Sequence, residues 1–294
     1  MNFLGANAAF GLLAAALWGG GDFTGSIAVR RTGSTIRGAL LVVLLGHILS
    51  LAIVASLATL HGDAFPSGHA LWWGICGGAI SSVSLVAFYI ALSTGHMGSA
   101  AAVSGLLCAA VPAVVSAFLD GAPGVLRILG FMLAGAAIWM IASSSDPTHS
   151  ASRQAMLLSV LGGLGFGIYF TALKFAGEAG VLWGMAVARI GSAGTALTIL
   201  LILMLIGFRE SGHAAPRRGN TLLWIAGGAA LDTGGNLSYL AATRMGRLDV
   251  AAVTSSLYPA GTILLAAWLL HEKTSRRQRL GMLLALPAVA LITL

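Results

Sequence analysis

Charged residues are scarce in this chain, at 9% of 294 residues, whereas soluble domains carry about 25%. Its two cysteines, Cys76 and Cys108, are too few for a disulfide framework and both lie in apolar stretches, where we expect them to pack as unpaired side chains. The glycine strings lack the lysine of a phosphate loop, so no ATPase and no cofactor is expected. With 57% hydrophobic residues, the chain is predicted to be an integral membrane protein.

Apolar runs of roughly 20 residues, the length that spans a bilayer as a helix, follow one another along nearly the whole chain. Short polar joints separate them, so no soluble domain is expected. The sequence therefore predicts an all-α protein with ten transmembrane helices. The predicted spans are residues 8–29, 36–59, 70–92, 99–119, 125–142, 155–176, 181–206, 221–242, 250–270 and 280–294.

The chain contains an internal repeat, because residues 69–143 match residues 220–294 at a constant shift of 151. Trp73 falls on Trp224, and Gly130 falls on Gly281. Residues 1–144 and 151–294 are predicted to be two five-helix repeats, joined by a polar linker at 145–150. Because five is odd, the second repeat must enter the membrane from the opposite side, which predicts an inverted pair with its site near the midplane.

Several segments of the sequence resemble the EamA family of the drug/metabolite transporter superfamily. They are residues 17–23 (LWGGGDF), 251–259 (AAVTSSLYP) and 269–272 (LLHE), together with Gly281. The resemblance implies a ten-helix carrier that works by alternating access, with a cavity lined mainly by the first, third, fourth, sixth, eighth and ninth helices. The first repeat departs from the pattern, with Cys108 opposite Pro259 and Gly121 opposite Glu272, which indicates architectural roles for those positions.

Asp232 is the leading candidate for a functional side chain because it lies in the middle of an apolar span. An ionisable group at that depth costs about 2.5 to 3.5 kcal/mol on insertion scales and is a functional candidate by default. Asn236 and Tyr239 follow at i+4 and i+7, so the three share one helix face, expected to line a cavity. The alternative is that Asp232 only bonds neighbouring helices.

Asp22 is the second candidate, with Trp18 at i−4 and Ser26 at i+4 on the same face of the first helix. Two carboxylates in one cavity suit a cationic group or a coupling proton, so Asp22 and Asp232 are both candidates for coupling. Asp22 lies nearer to its helix end, however, and a structural pairing with Arg30, Arg31 or Arg189 is the alternative.

The remaining candidates are polar and aromatic side chains on the third, sixth and ninth helices. Ser81 is opposite Asp232 in the repeat, which makes the predicted site asymmetric. Packing is the alternative for each of these side chains, and Arg189 is expected to snorkel to a helix end rather than to bind substrate. The further predicted binding residues are Ser81, Tyr89, Phe166, Tyr169, Ser255 and Tyr258.

The leading functional hypothesis is a multi-pass carrier of the inner (plasma) membrane that exports amino acids or related compounds, with protons as candidate coupling ions. Uptake of a quaternary ammonium cation, held by Trp18, Tyr239 and Phe166, is the alternative. Residues 66–69 (PSGH) match one motif of lipid-phosphate phosphatases, but the companion motifs are missing and no enzyme is expected. Lipid and a small solute are the expected partners, nucleic acid is not, and the chain is expected to be a monomer or a homodimer.

Basic residues make the orientation of the chain an open question. They cluster in the joints after odd-numbered helices, which by the positive-inside rule places both termini outside the cytoplasm. Relatives of the resembling superfamily are usually drawn with cytoplasmic termini. The basic residues in the connections after odd-numbered helices are Arg30, Arg31, Arg37, Arg209, Arg217, Arg218, Lys273, Arg276, Arg277 and Arg279.

Overall fold

The computed structural model describes residues 3–94, 97–142, 153–210, 219–271 and 275–293, and over these ranges the chain is helical, without a β-strand. The proposed linker at 145–150, and Gly95 and Glu272, lie outside the described residues. The helices are α1 (Phe3–Arg31), α2 (Ile36–His61), α3 (Gly68–Thr94), α4 (Met97–Leu119), α5 (Val125–Ala142), α6 (Arg153–Ala176), α7 (Val181–Leu205), α8 (Thr221–Met245), α9 (Leu248–Ser255), α10 (Tyr258–Leu269) and α11 (Arg276–Thr293).

Most of these helices extend the predicted apolar runs by a few residues at one or both ends. In α2, Thr35 caps the first turn by accepting a hydrogen bond from the backbone of Gly38, and Gly62 ends the helix in the left-handed conformation with a φ of 81°. The added residues are mostly polar or small, so the hydropathy of the sequence does not reveal them. Helix boundaries are therefore set by capping as well as by the apolar runs.

The predicted ninth helix is present as two segments, α9 and α10, separated by Ser256 and Leu257. Proline has no backbone N–H, and Pro259 therefore cannot donate to the carbonyl of Ser255. The backbone N–H of Ala260 donates instead to Leu257 at 3.0 Å, which tightens the chain at this point. The break brings the first residue of α10, Tyr258, to the centre of the bundle.

The helices pair across the two halves of the chain. Helix α1 packs most extensively against α8, and α6 packs most extensively against α3. Helices α2 and α7, α4 and α9, and α5 and α11 also form extensive pairs. Small residues permit these approaches: a Cβ on Gly78 of α3 would clash with the backbone of Ala188 on α7.

The outer surface and the helix lengths are those of a membrane protein. Among the described residues, six helical stretches are long and apolar enough to cross a bilayer, and two shorter apolar helices cover Val103–Leu119 and Val125–Met140. Large apolar side chains such as Leu60, Phe118 and Leu205 point outward, with more than four fifths of their surface exposed. Polar side chains are instead collected inside the bundle, which is the reverse of a soluble protein.

Candidate functional site

A cavity of about 30 Å³ lies inside the bundle, where α1, α3, α6, α8 and α10 meet. This volume holds about two water molecules, since one water needs roughly 10 to 15 Å³ by the same measure. The helices must therefore separate before a larger solute can enter. The lining side chains are Trp18, Asp22, Ser81, Leu85, Phe166, Tyr169, Phe170, Asp232, Asn236 and Tyr258.

Eight of the eleven binding residues predicted from the sequence line this one cavity. They come from five helices that are up to 240 residues apart along the chain, so the cavity brings together residues from both halves. The eight are Trp18, Asp22, Ser81, Phe166, Tyr169, Asp232, Asn236 and Tyr258.

Three predicted binding residues lie elsewhere. Tyr89 lines a second cavity of about 20 Å³, to which His47 and Asp232 also contribute. Tyr239 is fully buried, and its hydroxyl donates to the carbonyl of Phe170 at 3.3 Å. The Ser255 hydroxyl donates to carbonyls of its own helix at 2.7 and 3.1 Å. Tyr239 and Ser255 therefore contribute to packing in this conformation.

Aromatic rings form one wall of the cavity. Trp18 and Phe170 are stacked with centroids 4.6 Å apart and an interplanar angle of 6°. Tyr239 packs behind Phe170 at 4.8 Å, and Phe166 lies edge-on to Phe88 at 5.6 Å. Sequence reasoning missed Phe170, although its position four residues after Phe166 would have placed both rings on the same face of α6.

Arg189 is buried at the centre of a polar network instead of snorkelling to a helix end, so the expectation from the sequence was wrong. Its side chain is 2% exposed and its terminal nitrogen Nη2 is ion-paired with a carboxylate oxygen of Asp232. The Nε atom donates to Ser50 at 3.0 Å, and Nη1 lies 2.8 Å from Nε2 of His47. A charge this deep needs such partners, and α2 and α8 supply them.

His47, which sequence reasoning did not single out, is buried between Arg189 and Ser192. A guanidinium has only donors, so Nε2 of His47 must accept, and the ring is neutral with its proton on Nδ1. That proton is donated to the Ser192 hydroxyl at 2.6 Å. An ionisable residue twelve positions into an apolar run was a signal available in the sequence.

Asn236 extends the network from Asp232 towards α6. Its amide nitrogen donates to the other carboxylate oxygen of Asp232 at 3.0 Å and to the Asp232 carbonyl at 2.7 Å. Its oxygen accepts from the Tyr169 hydroxyl at 2.8 Å. Asp232 is thus held by both an arginine and an amide, and the network contains four helices, α2, α6, α7 and α8.

Asp22 differs from Asp232, because it forms no ion pair or hydrogen bond with the residues that the structure describes. The three arginines considered as its partners are engaged elsewhere. Arg30 donates to the carbonyl of Leu92 at 3.2 Å, Arg31 donates to the side chain of Thr221 at 3.2 Å, and Arg189 holds Asp232. Asp22 is therefore the lining carboxyl group to which the described residues provide no counter-charge.

The phosphatase-like motif lies away from the cavity. Ser67 is exposed in the α2–α3 connection, and the His69 side chain is 72% exposed and lies 3.2 Å from Glu178. Neither residue lines the cavity. Within the described ranges, no cluster of three or more histidine, cysteine or acidic residues is arranged to hold a metal ion.

Membrane-spanning helices around a central cavity lined by aromatic and polar side chains are the architecture expected of a membrane transport protein. The sequence model of the EamA-like transporter family, which is part of the drug/metabolite transporter superfamily, matches residues 153–294. The resemblance noted in the sequence is confirmed. The match indicates a membrane transporter of the drug/metabolite type.

Comparison with solved structures supports the fold over the full length. Seventeen chains of solved structures match significantly. One, titled only "Crystal structure of protein", superposes with a TM-score of 0.71 at 18% identity, covering 98% of this chain and 96% of that chain. At this identity the likeness concerns the fold alone. No curated protein matches the sequence significantly.

Proposed function

We propose that the protein is a secondary carrier that exports amino acids or related compounds by alternating access. The observation that carries the proposal is that the carboxyl group of Asp22, without a counter-charge, lines the same cavity as the Trp18 ring, between helices of both halves. A small cavity between helices of the two repeats is where alternating access would place the substrate. The cell inner (plasma) membrane is the proposed location.

The proposed architecture is ten transmembrane helices in two inverted five-helix repeats, at 1–144 and 151–294. Under this scheme α1 corresponds to α6 and α3 to α8, so the α1–α8 pair and the α6–α3 pair are equivalent. Both are the most extensive pairs of their helices, which supports a two-fold relationship. The cavity lies between these two pairs, where rocking of one repeat against the other would open it.

The charges of the site favour a substrate that carries a positive group. Arg189 compensates Asp232, and neutral His47 adds no charge, which leaves Asp22 as the site for an ammonium group. The rings of Trp18 and Phe166 offer apolar contact to the rest of the solute. When the substrate leaves, a proton on Asp22 would restore neutrality, so Asp22 is the stronger coupling candidate. Asp232 would first have to break its ion pair with Arg189 before it could accept a coupling proton.

Transport into liposomes tests this function. Purified protein should move radiolabelled amino acids down their gradient without ATP, and an imposed pH gradient should accelerate that movement if protons are coupled. Asp22→Asn should abolish transport at unchanged expression, whereas Asp63→Asn, a carboxylate in the α2–α3 connection, should retain it. Full transport by Asp22→Asn would contradict the proposed site.

Carriage of an organic cation is the second candidate, favoured by the same pairing of Asp22 with the Trp18 ring. The predicted aromatic cage is incomplete in this conformation, since Tyr239 is fully buried and Phe170 covers one face of Trp18. Competition for uptake separates the two candidates. Inhibition by choline and not by neutral amino acids would favour the cation, and the reverse would favour the amino acid.

A further inference from the structure

The polar side chains of the cavity fall into two groups according to whether the protein already bonds them. Asp232, Asn236 and the Tyr169 hydroxyl are bonded to one another and to Arg189. Asp22 and Ser81 form no hydrogen bond with the described residues, and the Tyr258 hydroxyl has the Ser104 hydroxyl as its polar neighbour. A buried polar group without a partner is costly, so the second group marks where a ligand's polar atoms belong.

Tyr258 reaches the cavity because of the break between α9 and α10. It is the first residue of α10, and its side chain turns inward from the point where Pro259 interrupts the backbone hydrogen bonds. The residue is only 3% exposed. The Ser104 hydroxyl on α4 is fully buried and is close enough to the Tyr258 hydroxyl to pair with it. Such a pair uses only one of its two protons internally, so one donor remains for a ligand.

We propose that Tyr258, backed by Ser104, is a second polar subsite that donates a hydrogen bond to the carboxylate of a zwitterionic substrate whose ammonium group is held by Asp22. This inference rests on the proposed function and names its substrate class as α-amino acids with an unmodified carboxylate. The proposed donor is uncharged because the guanidinium of Arg189 is already ion-paired with Asp232. A hydroxyl group is therefore the donor that the cavity provides for the substrate carboxylate.

Tyr258 and Ser81 are the lining hydroxyl residues outside the bonded network, and Tyr258 is the one that Ser104 backs. A carboxylate only accepts hydrogen bonds, so its partner must have a proton to give. The Tyr169 hydroxyl already donates to Asn236, and the Asn236 amide donates to Asp232. Tyr258 lines the same cavity as Asp22, so a solute that enters as the helices separate can contact both residues.

Paired ligands test the subsite on the purified full-length protein. Binding by isothermal titration is compared for leucine and isopentylamine, and for phenylalanine and phenethylamine, since each amine lacks only the carboxylate of its partner. Tyr258→Phe should weaken binding of the amino acids about tenfold and leave binding of the amines within about twofold, because a hydrogen bond to a charged group is lost only for the former. Equal weakening of both classes would overturn the subsite.

Further outcomes separate this subsite from the proposed function and from simple packing. If wild type binds neither class, amino-acid carriage itself fails together with the subsite. If wild type binds the amines but not the amino acids, the subsite is refuted and organic-cation carriage is favoured. If the Tyr258 and Ser104 hydroxyls bond only to each other, Ser104→Ala and Tyr258→Phe will lower the melting temperature by similar amounts. The ratio of amino-acid to amine affinity will then be unchanged, and this result also refutes the subsite.

Discussion

The carboxylate of Asp232 on α8 is ion-paired with the guanidinium of Arg189 on α7, inside the bundle and at the junction of two cavities. His47 and Ser50 on α2 hold the other nitrogens of Arg189. The pair therefore ties one helix of the first half to two helices of the second. Asp232 has a structural role here whether or not it also contacts a substrate.

Asp232→Asn should destabilise the protein, because it leaves the Arg189 charge buried with only neutral partners. Breaking a buried pair by removing one member costs about 3 to 5 kcal/mol. Thermal unfolding of the detergent-solubilised protein, followed by circular dichroism, measures the loss. An unchanged melting temperature would contradict the role of the pair.

The double variant Asp232→Asn with Arg189→Gln separates stability from transport. Removing both charges eliminates the unpaired cation, so the melting temperature should recover most of what Asp232→Asn lost. If the double variant is stable but moves no substrate, the pair acts in the transport cycle as well as in folding. If it transports normally, the pair serves the fold alone.

Sequence patterns predicted the helices well because hydropathy reports directly on the length of chain inside the bilayer. The predicted span at 125–142 coincides with α5. The first residues of α11 were missed since Arg276, Arg277 and Arg279 interrupt the apolar run, although a helix continues readily into the polar headgroup region. The break between α9 and α10 depends on a missing N–H at Pro259, which hydropathy does not register.

The site was harder to predict, because its chemistry depends on which helices are neighbours. Single-helix periodicity placed Asp232 and Asn236 on one face, and both line the cavity. Nothing along α7 indicates that Arg189 faces Asp232, a contact 43 residues away. The internal repeat did not help there, because Ser81 occupies the position of Asp232 in the first half and offers no ion pair to look for.

Arg247 forms a clasp at one end of the bundle, between the α8–α9 turn and the α4–α5 connection. Its guanidinium contacts the buried Asp249 carboxylate at 2.8 Å and donates to the carbonyls of Asp120 and Gly121 at 2.7 and 2.8 Å. The hydrogen bond with Asp249 raises the pKa of Arg247, which further stabilises a guanidinium that is charged at any physiological pH. The clasp is expected to help close this end of the bundle.

Arg247→Lys should loosen this end, because one ammonium cannot reproduce the planar fork that contacts three groups. In a background with Cys76→Ala and Cys108→Ala, the cavity position Ser81→Cys can be labelled with a membrane-impermeant maleimide. Adding Arg247→Lys should raise the labelling rate severalfold. Arg276→Lys, at the start of α11, is the matched control, and a rate that rises equally in the control would refute the clasp.

The basic residues predict on which side of the membrane the termini lie. Helix α1 ends with Arg30 and Arg31, and α11 begins with Arg276 and Arg277. The positive-inside rule predicts that these ends are cytoplasmic and both termini outside, whereas relatives of the superfamily are usually drawn with cytoplasmic termini. Fusions to alkaline phosphatase should then be active and fusions to a green fluorescent protein dark. Fluorescent fusions at both termini would contradict the charge rule for this chain.

Two glycines on α7 give a matched test of the α3–α7 contact. A Cβ on Gly191 would lie within 3 Å of the backbone of Ile75, whereas a Cβ on Gly194 would meet nothing within 4 Å. Gly191→Ala must therefore push two helices apart and should lower the melting temperature by several degrees, with loss of transport. Gly194→Ala should be neutral or stabilise by up to about 1 kcal/mol, because alanine favours the helix over glycine.

Because both variants add the same methyl group to the same helix, any general effect of alanine on α7 cancels in the comparison. Equal melting temperatures for the two variants would show that α3 can move away from α7 without cost, and the close packing of these helices would then not restrain the cavity.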